Sequence, residues 1–418
     1  MAATIPTLTT PDESRGTEAG LRFVARQPIL DVRGVAHAYA LNFRDGLEKA
    51  FQHDAVDTAG VDHGLTLGFN RLTGGLPAFI SCTGAALKSG IVHLMPARET
   101  VLEIQDAAQP TPELIASCHL LKAAGFRLAF GNYCWEPRFE PFLRIADYIR
   151  VDWAFVRRMG AGMLRESSQG HVARWVAKNV QKQEDFQRAR EEGFTLFQGY
   201  FFCHPEKLKV PAISANHMAQ IQVLAYLQGD SVDMHALSRL VMRDPGLTFR
   251  LLRLVNSPLF PLRREVGSVE AALMVVGEEA FRRMVTVALA SELNSGGSAE
   301  LLRMALVRAR FCEQTALLFN LDASEQNLLG ILSLVPAMLK VRMEELVPGL
   351  PLRENAAQAL LGMANRERQA LSWLEAFELG QWGTGSTLLR EAAVDEAPLA
   401  EAYLDAVRWA EMAMEVAH

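Results

Sequence analysis

The chain has 418 residues, half of them hydrophobic and 22% charged, with a formal net charge of -6. That composition excludes a disordered chain, and the length favours two domains over a single core. The charge gives no global attraction to nucleic acid or to an anionic membrane, so neither is an expected partner unless a local basic patch recruits it.

The first twenty residues, rich in Thr, Pro, Gly and charge and lacking the apolar run of a signal peptide, read as a disordered tail over 1–20. From residue 21 to about 205, short apolar runs alternate with helical patterns. The candidate strands are "RFVARQPIL", "AHAYALNF", "PAFISC", "TVLEIQ", "FRLAFG", "DYIRVD" and "FTLFQGYFF", with segments such as "TPELIASCHLLKAAG" between them. This alternation predicts a parallel sheet, open or closed into a barrel. The stretch "CHPEKLKVP" at 203–211 has the prolines and lysines of an exposed domain junction. Beyond residue 212 the strand signals stop and helices follow.

In "DPGLTFRLLRLVNSP", Asp244 is placed as an N-cap and Pro245 at the first helical position, and the helix ends at Asn256, Ser257 and Pro258. Leu247, Leu251, Leu252 and Val255 fall on one face, which predicts packing in a bundle. "GSVEAALMVVG" repeats the plan, with Ser268 as cap and Gly277 as terminator. The best candidate for a membrane span, "LLGILSLVPAMLKV", is short and interrupted by Pro336, so a cytoplasmic protein is expected. Cys82, Cys118, Cys134, Cys203 and Cys312 are odd in number, scattered and never in a CxxC pair. They read as core thiols of a reducing compartment rather than a disulfide framework or a zinc site.

In a barrel of parallel strands, reactive side chains come from the C-terminal strand ends. Those ends supply Ala40, Ser81, Glu103, Gly131 with Asn132, Arg150 with Asp152, and Gln181 shortly before the last strand. A two-metal phosphodiester hydrolase needs several carboxylate or amide oxygens around its ions. Glu103 is the one clear carboxylate metal ligand in that set, too few for such a centre.

Seven short motifs, "ARQPILDVRGVAHAYALNFR", "FISC", "VLEIQD", "AGFRLAFGNY", "ADYIRVDW", "VAKNVQKQEDF" and "GFTLFQGYFF", fall in one order over 21–206. In sequence and spacing they resemble the EAL domain of cyclic di-GMP phosphodiesterases, in particular the EAL half of bacterial EAL and HDOD two-domain proteins. The resemblance implies an α/β TIM-like barrel of EAL type. It also implies that the metal-binding glutamate which names the family falls at Ala40, the metal-binding asparagine at Ser81, the paired aspartates at Gly131 and Asn132, the water-activating lysine at Arg150, and a late catalytic glutamate at Gln181. Kept are Glu103, the phosphate-contacting Arg44, and Gln27, Asp152, Gln198 and Gly199. An arginine at 150 stays protonated and fills different space from a lysine, so it is no substitute for that base.

The second half, "LSRLVMRDPGLTFRLLRLVNSPLF" followed by "SVEAALMVVGEEAFRRMVTVAL", resembles the HDOD domain over about 213–415, with Asn256 and Ser257 as its "NS" signature. That implies an all-α helical domain related to the HD phosphohydrolases. Between His235 and His418 the chain has no histidine, so a metal site of HD type is not expected. Asp244, Pro245, Asn256 and Ser257 are equally what helix ends need. Arg250, Arg253, Arg263, Arg264, Arg282 and Arg283 form a basic concentration, read first as a solvated face and second as a site for an acidic protein or nucleic acid.

The sequence therefore predicts a signalling protein that is not an enzyme, has no cofactor or metal, and acts through a protein partner. The rival reading is an effector that binds cyclic di-GMP without cleaving it through Gln27, Arg44, Arg150 and Asp152. An active phosphodiesterase ranks third. A short connection also predicts that the two halves pack against each other.

Overall fold

The computed structural model describes residues 24–44, 72–105, 108–131, 136–160, 173–203, 213–227, 232–256, 266–294 and 297–417. The tail over 1–20, Asn132, Cys134, Ser257, Arg263, Arg264 and most of the 203–211 junction lie outside the described residues.

Eight strands close into a barrel in sequence order: β1 (Val24–Asp31), β2 (Ala36–Phe43), β3 (Ala78–Cys82), β4 (Thr100–Ile104), β5 (Arg127–Phe130), β6 (Tyr148–Asp152), β7 (Arg174–Lys178) and β8 (Leu196–Gln198). The strands from β2 to β8 run parallel, whereas β1 is antiparallel to both of its neighbours. The reversal begins in the short turn after β1. The Asp31 carboxylate accepts the backbone N–H groups of Arg33 and Val35 at 2.8 and 3.0 Å, and Gly34 takes φ +77°. A hairpin this tight can only join antiparallel strands.

The apolar runs of the sequence mark seven of the eight strands and miss β7. Its five residues, RWVAK, bury only Val176 and Ala177 and carry a cation at each end. Pairing with both β6 and β8 makes it a strand, which propensity over so short a run does not. The barrel interior is filled by Ile29, Ala38, Ala40, Phe79, Val101, Ala129, Tyr148, Val176 and Leu196. Phe79 meets Tyr148 edge-on with centroids 4.9 Å apart. Ala40 is part of this apolar plug.

The rest of the chain is helical. Six of its helices bear on the site and surface: α1 (Met234–Met242), α2 (Pro245–Val255), α3 (Val269–Val276), α4 (Ala299–Thr315), α5 (Gln369–Glu378) and α6 (Glu396–Ala417). The expected punctuation is in place. The Asp244 side chain accepts from the N–H groups of Gly246 and Leu247 at 2.9 and 3.1 Å, and Ser268 accepts from Ala271 at 3.1 Å. Gly277 ends α3 with φ +80°. Leu247, Leu251 and Val255 are buried as the spacing requires, while Leu254 takes the inward place expected of the half-buried Leu252. No described helix is long and apolar enough to cross a membrane.

The two halves share a core. Ala25 of β1 and Tyr200, just past β8, sit within the hydrophobic cluster of the helical half, and Leu404 of α6 packs against the outer core of the barrel. A buried polar network seals the contact. The Tyr39 hydroxyl donates to Glu300 at 2.7 Å, and Arg26 pairs with Glu411 at 2.8 Å while also donating to the Leu72 carbonyl at 2.7 Å. Arg303 bridges both acids, 2.5 Å from Glu300 and 3.0 Å from Glu411. Burial, reinforced by the charge on Glu300, pushes the Tyr39 phenol well above its ordinary value, which keeps it a donor. Burial works against the Arg26 charge, but Tyr39, Glu411 and Glu300 outweigh it and hold the guanidinium protonated.

Replacing Tyr39→Phe keeps the ring packing and removes one donor from a buried carboxylate. The expected cost is about 1.5–3 kcal/mol, the range for hydrogen bonds to charged groups. Urea unfolding of the full chain measures it.

Candidate functional site at the barrel mouth

The C-terminal ends of β2 to β8 open on one rim, and the reversed β1 contributes its N-terminal end to the same rim. Four polar side chains there form a chain of contacts. Arg150, buried on β6, donates through Nη1 to Glu103 Oε2 on β4 and through Nη2 to Gln198 Oε1 on β8, both contacts being very short. Gln198 Nε2 donates to Gln27 Oε1 at 2.7 Å. Gln27 Nε2 then donates to the carbonyl of Glu378, the last residue of α5, at 3.2 Å. The Tyr200 hydroxyl donates to the same carbonyl at 2.7 Å. The end of α5 thus lies against the rim, and Glu378 is fixed from behind by the buried Arg308 of α4 at 2.8 Å.

Glu103 lies over Gly131. A Cβ at position 131 would stand 2.3 Å from Glu103 Oε1, so any larger residue there would evict the carboxylate. Lys178, at the end of β7, brings a second cation to 3.7 Å from the same oxygen. The Arg150 guanidinium rests over the Phe79 ring, 5.5 Å from its centroid. Burial pulls the Arg150 pKa below its ordinary value, and the charge of Glu103 and the hydrogen bond to it pull the other way. Lys178 is the functional residue that sequence reasoning missed. It lies in the quoted "VAKNVQ" motif, but without β7 there was no reason to place it at the mouth.

At the rim, Arg44 follows β2 and pairs with Glu396, the first residue of α6, at 2.6 Å. The retained Gly199 has a backbone reason to be glycine: φ is +149°, and a Cβ would meet the Val180 carbonyl oxygen at 1.9 Å.

Comparison with known proteins places this architecture. The model of the HDOD domain matches residues 214–367. The chain is 31% identical over 406 residues to a Vibrio cholerae protein named cyclic di-GMP phosphodiesterase CdgJ, covering 93% of this chain and 92% of that one. The chain belongs to the family of EAL–HDOD two-domain proteins. It is also 28% identical over 406 residues to the uncharacterized protein YuxH of Bacillus subtilis, covering 94% and 99% of the two chains. Among solved structures, the EAL domain of Mycobacterium smegmatis DcpA aligns with 43% of this chain and 88% of its own, at 17% identity and TM-score 0.34. The FimX EAL domain from Pseudomonas aeruginosa aligns over 46% and 95%, at 14% identity and TM-score 0.34.

In this EAL–HDOD protein the residues at the mouth do not fit a divalent metal pair. Ala40 and Gly131 carry no donor atom. The Ser81 hydroxyl accepts from Gln105 at 3.4 Å, and Glu103 is engaged by two cations. Among the described residues, no group of three or more His, Cys, Asp or Glu side chains is gathered to hold a metal. Gln181 is exposed beyond β7 and touches none of this network. Asp152 caps the helix Trp153–Met159 through Ala154 N–H at 2.7 Å and accepts from Asn179 at 2.6 Å, which makes it a joint between strand ends.

The HDOD signature is likewise structural where it is described. Asn256 donates to the carbonyls of Leu252 and Val266, each at 2.9 Å, and accepts from Val266 N–H at 2.7 Å, clamping the end of α2 to the approach to α3. Among the described arginines of that group, three of four are internally engaged. Arg250 pairs with Glu292 at 2.6 Å, Arg282 donates to the Leu227 carbonyl at 3.3 Å, and Arg283 pairs with Glu279 and Glu313 at 2.8 and 3.4 Å. Cys82, Cys118 and Cys312 are buried, and burial raises the thiol pKa of Cys118 to about 11 and of Cys312 to about 12.

Arg150→Met strands the buried Glu103 carboxylate without its principal counter-ion. The expected loss is about 3–5 kcal/mol, whereas the double variant Arg150→Met/Glu103→Leu should regain most of it, since replacing both members of a buried pair is often close to neutral. Denaturant unfolding of the wild type and the two variants measures both outcomes.

Proposed function

We propose that this chain is a regulatory protein of cyclic di-GMP signalling that does not hydrolyse the dinucleotide and acts through protein contacts. The observation that carries the reading is the Arg150 guanidinium, which holds Glu103 and Gln198 at the centre of the mouth. Two-metal hydrolysis needs anionic oxygens free to take up cations around the attacked phosphate. In this chain the one retained carboxylate ligand is paired with the buried Arg150. CdgJ is named as a cyclic di-GMP phosphodiesterase, and for this chain the pairing of Glu103 with Arg150 argues against that activity. Micromolar protein incubated with cyclic di-GMP and magnesium or manganese should yield no linear dinucleotide by chromatography. Ala40→Glu alone should yield none either, because the new carboxylate would enter an apolar plug beside a Glu103 that is already paired. Linear product proportional to protein, surviving repurification, would overturn the reading.

A second reading, a non-hydrolysing effector, is favoured by Arg44. Its pair with Glu396 is partly exposed to solvent, and such pairs contribute only about 0–1 kcal/mol. A phosphodiester accepting a bidentate guanidinium contact can compete with it. On this reading Glu396→Gln should tighten cyclic di-GMP binding by about fivefold in isothermal titration, the factor that corresponds to about 1 kcal/mol, and Arg44→Ala should abolish it. No heat of binding in wild type and Glu396→Gln alike would remove the effector role and leave the protein-contact reading standing.

A further inference from the structure

Action through protein contacts requires a free surface, and the helical half already packs on the rim of the barrel mouth. Three exposed apolar places elsewhere compete for that role. On the barrel, Leu120 is 71% exposed, more than Val32, Val35 or Met159. In the helical half, Leu317, Leu318, Leu361 and Met363 are exposed, but the neighbouring guanidinia are used internally. Arg366 donates to the Phe319 carbonyl at 2.9 Å, and Arg368 pairs with Glu375 at 2.8 Å.

The third place lies on α1, α2 and α3, which pack against one another. Phe249 is 67% exposed, Met274 83% and Val275 55%, with Leu240 and Met242 also exposed. Phe249 and Arg253 lie one turn apart on the solvent stripe of α2, opposite the buried Leu247, Leu251 and Val255. Folding gives no reason for a phenylalanine on that stripe, since the inward face already supplies the apolar contact of the helix. Met242 and Arg243 close α1 directly before the Asp244 cap. Arg243 and Arg253 are exposed, and among the described residues neither side chain makes a hydrogen bond or ion pair. Arg239 reaches only Asp233, at 3.9 Å. The exposed carboxylates on these helices and their caps are that same Asp233 and Glu270, and Glu278 and Glu279 follow directly after α3, so the unpaired positive charge of the face is local to Arg243 and Arg253.

Resting on the protein-contact reading, the geometry points to the α1–α3 face as the docking surface for an acidic amphipathic helix of another protein. The apolar side of that helix lies on Phe249 and Met274, and its carboxylates lie on Arg243 and Arg253. Exposed apolar side chains and unpaired guanidinia on three packed helices select this occupant by both area and charge. A basic or uncharged helix would leave the guanidinia desolvated without partners.

The test places a photo-reactive residue, in separate full-length proteins, at Phe249, Met274, Leu120 or Met363, cross-links in cells of the native host, and maps the captured peptides by mass spectrometry. The expected result is capture from positions 249 and 274 of one acidic segment with apolar residues at helical spacing. Its yield should fall about fivefold or more when Arg243→Glu and Arg253→Glu are added, with circular dichroism and melting temperature unchanged. Capture only of a second copy of this chain, of a basic or uncharged segment, or a yield indifferent to charge reversal overturns the proposal. Capture from positions 120 or 363 alone overturns this surface and leaves the protein-contact reading intact. Capture from none of the four removes both.

Discussion

A buried guanidinium cannot be left without counter-charge, and the arrangement of the barrel mouth follows from that requirement on Arg150. Glu103 supplies the charge and must lie over Gly131 to do so. Gln198 takes the other arm, which turns its amide toward Gln27, and Gln27 in turn donates to the end of α5. The side chain that fills the mouth is therefore also the first link in the contact that ties the barrel to the helices.

That contact is two-layered. Near the mouth it is made of single hydrogen bonds and one partly exposed ion pair, Arg44 with Glu396. Deeper, the Tyr39, Arg26, Glu300, Arg303 and Glu411 network and the shared apolar cluster hold the same surfaces together. Desolvated charges of this kind are worth little beyond an apolar contact of equal area, but they are costly to break one at a time. The deep layer therefore fixes the orientation of the two halves, while the rim contacts remain exchangeable. The barrel and the helices joined in this way form one frame. The mixed apolar and basic face of α1 to α3 is part of what the frame presents.

Much of the local structure was legible from residue types. The Asp244 and Ser268 caps, the Gly277 stop and the inward stripe of α2 follow from hydrogen-bonding needs and helical period, which act within a few residues. The seven apolar strands were legible for the same reason.

What stayed hidden depends on partners distant in sequence. The strand β7 exists because β6 and β8 hydrogen-bond to it on both sides, and its Lys178 reaches the mouth only through that pairing. Gln27 and Arg44 read as ligand contacts from their motifs, yet their partners are Glu378 and Glu396, more than 350 residues away. Asp152, Asn256 and Gly199 read as signature residues and serve as a cap, a clamp and a close backbone approach. The sequence by itself determined which side chains stand at the strand ends, since composition sets the donors on offer. Only the tertiary structure decided which partner each one meets, because a buried charge is satisfied by whichever group the fold brings within reach.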